Sequence, residues 1–239
     1  MFACMKSVLG FCLLSVSSLL AACSSVRFSP ESAEFKGMTP RRLYDFACLK
    51  QENNKPVSGE VAMKVKSSQI SGQFTAQVQA HSLEKLDLEV EHPWGGVIAQ
   101  VKWDQNQVEV TMESEDPPRI ERGGRTWSGL PLHFVSSLFL GSVPCPDLKQ
   151  KHQLSMTPEG ELMIQFDHGE EWLYQFRIWK RQPWPEKLVW YSSEFKKDKS
   201  KKVEMNLDDP DQNLGVPLKW EIRQQESFIK VRWKDRASD

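Results

Sequence analysis

A chain of 239 residues, 39% of them hydrophobic and 26% charged, is long enough for one large or two small domains. Its 31 basic and 32 acidic side chains nearly cancel, and a net charge of −1 gives no support for wholesale nucleic-acid binding. Neither internal repeats nor low-complexity tracts are present, which excludes a solenoid or a compositionally disordered chain.

The N-terminus carries an apolar run, Val8 to Leu20, behind a weakly charged start with Lys6 alone. That length falls within the roughly 7–15 residues of a secretory core and short of the ~18 needed to cross a bilayer. The run ends Leu20-Ala21-Ala22-Cys23. Small residues before a cysteine are what a bacterial lipoprotein signal requires, because the thiol takes a diacylglycerol and the freed amine a further chain. Residues 1–22 are therefore expected to be removed, leaving Cys23 as the lipidation site and membrane anchor. The alternative is an ordinary secretory signal cleaved near Ala22. Ser24, in place of the aspartate that retains lipoproteins in the inner membrane, points to the outer membrane, facing the periplasm. Cys4, Cys12 and Cys23 belong to the signal or its end, which leaves Cys48 and Cys145. An oxidising envelope would let these two pair, but spacing alone does not place their Cα atoms within ~7 Å.

Residues 23–37 are polar and aperiodic and read as a tether. Thr39-Pro40 then has the form of an N-cap followed by proline in the first turn. Leu43, Phe46 and Ala47 give one helical face to about Gln51. From Val57 the apolar period drops to two. Val61, Met63 and Val65 alternate with polar residues, followed by Phe74 to Val78, Leu86 to Val90, Val97 to Trp103 and Val108 to Met112. These are strands with one wet face, joined by short turns and therefore antiparallel.

Between Asp116 and Pro146 the alternation stops. Glu121-Arg122-Gly123-Gly124-Arg125 reads as a loop. Leu132, Val135, Leu138 and Phe139 have helical spacing, with Gly141 placed to end the helix and Pro144 and Pro146 preventing its resumption. Alternation returns at Leu162–Phe166, Trp172–Ile178, Leu188–Trp190, Val203–Leu207, Leu218–Ile222 and Ile229–Trp233. About 10–11 strands with one wet face cannot lie flat as one open sheet. The expected fold is mainly β: residues 38–239 as one domain, a curled antiparallel sheet forming a half-open barrel, with helices covering the concave side.

The order of several motifs resembles a known family. A lipoprotein signal, a helix and a meander lead to Glu91-His92-Pro93-Trp94-Gly95-Gly96. Leu130-Pro131-Leu132 and Leu138-Phe139-Leu140-Gly141-Ser142-Val143-Pro144 follow, and the chain closes on Val216-Pro217-Leu218-Lys219-Trp220-Glu221-Ile222 and Lys230-Val231-Arg232-Trp233. The pattern is similar to LolB, the outer-membrane lipoprotein receptor, within the wider LolA/LolB half-barrel group, which also includes lipid-binding lipoproteins with other cargo. The similarity spans roughly Leu43 to Trp233 and departs at Pro185–Pro210, where an extra strand pair looks more like the periplasmic carrier LolA.

The resemblance implies a membrane-insertion tip at Pro93, Trp94 and Gly95, with Trp94 in the place of the family's exposed leucine. It also implies a LolA-like carrier as partner. A tryptophan suits that place, offering a ring to acyl chains and an N–H to headgroups. Read without the family, its ring would as readily fold back onto its own sheet. Residues expected to contact acyl chains are Leu86, Leu88, Val101, Leu132, Val135, Leu138, Phe139, Trp172, Tyr174 and Phe176. Composition does not distinguish a hollow barrel from a filled one.

An enzyme would need a catalytic or metal-binding constellation. His81, His92, His133, His152 and His168 make no His-Glu-x-x-His pair and no zinc spacing with the cysteines. No Gly-x-Ser-x-Gly elbow or phosphate-cradling loop occurs. Asp167-His168-Gly169-Glu170-Glu171 has metal-ligand residue types, but also those of a hairpin turn. Lys196–Lys202 reads as a wet turn or, alternatively, an attraction for anionic headgroups. The expectation is a non-enzymatic lipoprotein without cofactor or metal. It would bind the acyl chains of lipoproteins and pass them to the membrane. Two rivals stand beside it: a general lipid or glycolipid carrier, and a structural envelope lipoprotein with a solid core.

Overall fold

The computed structural model describes residues 38–48, 55–67, 71–105, 107–113, 116–123, 126–127, 130–193, 202–212 and 216–238. The signal, Cys23, the tether and Lys196 to Lys201 lie outside the described residues.

The first helix, α1, runs Pro40–Cys48. Its cap is the expected one: the Arg42 amide donates to Thr39 Oγ1 at 3.3 Å, and proline stands in the first turn where no amide is needed. The buried face is Leu43, Tyr44, Ala47 and Cys48, rotated from the expected stripe so that Phe46 is only partly covered. The rotation follows from what α1 must reach. Cys48 is disulfide-bonded to Cys145 with Cα atoms 5.9 Å apart, and the Tyr44 hydroxyl donates to the Pro146 carbonyl at 3.2 Å. The pairing left open by the sequence is thus made.

Six strands follow α1: β1 (Val57–Lys66), β2 (Ser71–Ser82), β3 (Lys85–Glu91), β4 (Val97–Asp104), β5 (Gln107–Met112) and β6 (Arg119–Gly123). A two-strand ribbon, β7 (Thr126–Trp127) with β8 (Leu130–Pro131), leads into α2 (Leu132–Phe139). The second run is β9 (His152–Met156), β10 (Leu162–Phe166), β11 (Glu171–Trp179), β12 (Gln182–Tyr191), β13 (Val203–Pro210), β14 (Pro217–Gln224) and β15 (Ser227–Trp233), with β16 (Ala237–Ser238) at the end.

All but β7 and β8 join one antiparallel sheet of 14 strands, in the order β6-β5-β4-β3-β2-β1-β15-β14-β13-β12-β11-β10-β9, with β16 on β1. Two meanders therefore meet back to back through β1 and β15, where Val61 faces Trp233 and Met63 faces Val231. Among the described residues the sheet does not close: β6 and β9 are its two ends. This is the curled half-barrel the alternation implied, with more strands than the 10–11 expected. The additional ones carry little alternation. All five residues of β6 are exposed, so its segment, which reads as a loop, pairs with β5 without a buried face. Strands β7, β8 and β16 are two residues each.

Both helices cover the same face of the sheet, α1 over β9, β10 and β12 and α2 over β2. Between them lies the core. In α2 only His133 is exposed; Phe134, Ser136 and Ser137 are buried along with the predicted stripe. Its Phe139 packs edge-on against Trp220 (5.1 Å) and Trp233 (6.0 Å), and Phe134 against Trp172 and Trp190 (both 5.1 Å). Edge-to-face aromatic contacts of this kind add roughly 0.5–1.5 kcal/mol each beyond area burial.

Candidate functional site

The site begins at the β3–β4 turn. Glu91 faces Val97 across the hairpin, the His92 amide donates to the Gly96 carbonyl at 3.0 Å, and the Gly95 amide donates back to the His92 carbonyl at 2.8 Å. Pro93 presets the first turn position. Gly95 and Gly96 take φ of +93° and +89°, which glycine tolerates and other residues resist. Two such residues are needed because the chain reverses within five positions. Trp94 is 88% exposed, its ring tilted 37° to that of His92 with the ring centres 6.1 Å apart. A ring held out by a closed turn, rather than folded onto the sheet, is an exposed apolar group that solvation disfavours.

From this tip an apolar strip runs inward along the helix-covered face. Its first row is Val90, Ala99 and Met112, and its second is Leu88, Val101 and Val110, each set aligned across β3, β4 and β5. Val90 and Ala99 are each 9% exposed, and the other four remain partly exposed. Beyond the strip, Ala76 and Val78 of β2 lie sealed under α2.

The residues expected to contact acyl chains divide accordingly. Leu86, Leu132, Val135, Leu138, Phe139, Trp172 and Tyr174 are buried among the chain's own side chains. Leu88, Val101 and Phe176 keep partial exposure. Val110 and Met112 belong with Leu88 and Val101, and the alternation of β5 was the available signal for them.

The polar constellations resolve into structural roles. Asp167 to Glu170 forms the β10–β11 turn, with the Gly169 amide on the Phe166 carbonyl. The Glu170 carboxylate accepts from both Trp172 Nε1 (2.7 Å) and Trp190 Nε1 (2.9 Å), and its second oxygen meets His168 Nε2 at 3.0 Å. Asp167 pairs with Lys151. Among the described residues no three of His, Cys, Asp or Glu are grouped as they would be to hold a metal ion, and no helix is long and apolar enough to cross a membrane. The Tyr174 hydroxyl donates to the Pro144 carbonyl at 2.8 Å, and its burial pushes the phenol well above its ordinary range. With Tyr44 on Pro146 and the Cys48–Cys145 bridge, the segment after α2 is held from both sides. Lys202, the described end of the lysine-rich stretch, pairs with Glu204.

No protein-family model matches the sequence, and no curated protein matches it. Solved structures do. A DUF1329 family protein from Desulfovibrio piger aligns with a TM-score of 0.53 at 12% identity, over 84% of this chain and 94% of its own. A protein domain assigned to outer membrane lipoprotein sorting, from Vibrio parahaemolyticus, aligns at 0.52 and 8% identity over the same shares. A LolA superfamily protein from Nitrosomonas europaea aligns at 0.47 and 11%, again over 84% and 94%. The two alignments above 0.5 show a shared fold.

Proposed function

We propose that the protein is an envelope lipoprotein that receives acyl chains, of lipoproteins or of lipids, along the β3–β5 strip and hands them to a membrane touched by Trp94. The observation that carries this reading is the adjacency of two features: Trp94, 88% exposed at a hydrogen-bonded turn, and behind it apolar rows across β3 to β5 in which Leu88, Val101, Val110 and Met112 stay partly exposed. Burying one chain of ~14 methylenes is worth on the order of 10 kcal/mol gross. A chain lying on an open strip buries roughly one side, so it would be held by about half of that, which suits handover better than storage. The shared fold with a domain assigned to lipoprotein sorting supports the same direction. Acylation of Cys23 would keep the body at the bilayer: the 15 residues of the tether reach at most about 50 Å. The outer membrane is its proposed place and a LolA-like carrier its proposed donor. No covalent chemistry is proposed.

The test is a photoreactive acyl chain offered to the full chain, with the labelled peptides identified. Labelling on β3 to β5, at Leu88, Val101, Val110 or Met112, is expected. Trp94→Glu is expected to leave that labelling unchanged while lowering delivery of lipoprotein to vesicles several-fold. A second reading, a structural lipoprotein with a solid core, is favoured by the packing of α2, whose Phe134 and Phe139 occupy the middle of the concave face. It predicts no acyl labelling at all, and that result would end the carrier proposal. Parallel transfer assays with lipoprotein and with free phospholipid separate the specific receptor from a general lipid carrier.

A further inference from the structure

The strand register places a second feature at the level of the Trp94 turn, on the opposite face of the sheet. Thr75 faces Glu91, so the rows that follow pass through Gln73, Lys64 and Lys230 level with Pro93, then through Ser71, Lys66, Phe228 and Arg223 level with Gly95. Strands lie about 4.8 Å apart, so β1 stands roughly 10 Å from the turn-bearing β3. Lys64, Lys66 and Arg232 are exposed and carry no ion pair among the described residues. Lys64 and Lys230 stand directly opposite each other across β1 and β15, a like-charge pairing that costs stability and that only Lys230 offsets with a carboxylate partner among the described residues. Arg223 and Lys230 share Glu221. Glu204, opposite Arg223, is held by Lys187 and Lys202, and Glu60, near Thr75, by Lys234. Glu91, beside the tip, and Glu226, in the β14–β15 turn, are further acidic groups here, and Gln73 and Thr75 are neutral. The carboxylates on β1, β13 and β14 at this rim are thus held by other cations, and Lys64, Lys66 and Arg232 are left without an ion pair among the described residues.

We propose that this rim is an anionic-membrane docking surface, in which Lys64, Lys66 and Arg232 draw the half-barrel to acidic phospholipid headgroups and set the orientation in which Trp94 enters the bilayer. The inference rests on the membrane-facing reading of the tip and adds the lipid class that the surface selects. Charge complementarity identifies the occupant: exposed, unpaired cations beside an exposed indole suit an interface where negative headgroups overlie acyl chains.

The experiment is vesicle co-sedimentation of the full chain bearing Cys23→Ser, so that no acyl group contributes and the N-terminal segment is common to every variant. Phosphatidylcholine vesicles are compared with ones holding about one-third phosphatidylglycerol. The anionic vesicles are expected to bind at least tenfold more tightly at low salt, with the difference lost at high salt. Lys64→Gln, Lys66→Gln and Arg232→Gln are each expected to weaken anionic binding up to about fivefold, and the triple variant to bind both vesicles alike. The charge-preserving set Lys64→Arg, Lys66→Arg and Arg232→Lys is expected to keep the preference, and thermal melts control for folding. Equal binding to both vesicles by the parent, or a preference that survives the triple substitution, overturns the proposal. Failure of the tip is separately visible: Trp94→Glu leaving binding to neutral vesicles unchanged removes the insertion role, while the lipid preference still reports on the cations.

Discussion

Gly141 shows how much a single position carries. The Gly141 and Ser142 amides donate to the Leu138 and Ser137 carbonyls at 3.1 and 2.7 Å, a reversal that ends α2 and needs φ of +83°. A Cβ there would stand 2.8 Å from Val216 Cβ, and Arg236, which caps the Leu140 carbonyl at 3.1 Å, crowds the same place. Gly141→Ala is therefore expected to cost about 1–3 kcal/mol, visible as a melting temperature lower by several degrees. Trp94 is the complementary case. Its surroundings were not readable from its own residue type, because a tryptophan between proline and glycine can fold back or stand out; the closed turn decides for exposure.

At the scale of elements, two fastenings of opposite kind hold the body. The Cys48–Cys145 bridge closes a separation of 97 residues and ties α1 to the segment after α2. Replacing both cysteines by alanine is expected to remove about 2–4 kcal/mol, measured by denaturant unfolding, with little change in the strand signal of circular dichroism. On the outer face of β13 and β14, carboxylates are held by cations. Lys202 binds Glu204 and draws its carboxyl below the usual value. For Glu221 and Asp208, partial burial pushes upward and is overcome, by Arg223 and Lys230 at the first and by the Asp209 amide and Lys219 at the second. Folded pKa values below the unfolded ones mean that the unfolded chain takes up protons first as acid is added. The stability these pairs contribute is present above about pH 4.5 and is lost as pH falls through the lower folded values. Glu204→Gln with Glu221→Gln should flatten the fall of melting temperature between about pH 4.5 and 3.

For the whole molecule, the open sheet makes stability uneven. Strands β1, β2 and β15 lie in the middle of the order, with Val61, Ala76 and Val231 fully buried, whereas β6 has a partner on one side and five exposed residues. Amide hydrogen exchange is expected to be slowest in β1, β2 and β15 and fastest in β6, with β3 to β5 between. Equal protection in β6 and β1 would contradict the assignment of β6 as a free edge. The proposed acyl strip falls in the intermediate region, where neighbouring side chains can yield to a ligand at less cost than under α2.

What the sequence by itself determined was local. A period of two at eleven segments dictated strands with one wet face, short turns dictated antiparallel neighbours, and Thr39-Pro40 and Gly141 set helix ends, because each rests on contacts within a few residues. The strands without alternation, β6 above all, escaped notice because edge pairing needs only backbone hydrogen bonds and leaves no mark on side-chain pattern. Only the tertiary structure decided that β1 pairs with β15, that Cys48 reaches Cys145, that α2 is buried nearly all round, and which apolar faces stay partly open beside Trp94. Each of these depends on the distance between residues far apart in the chain, and that distance is set by the curl of the whole sheet.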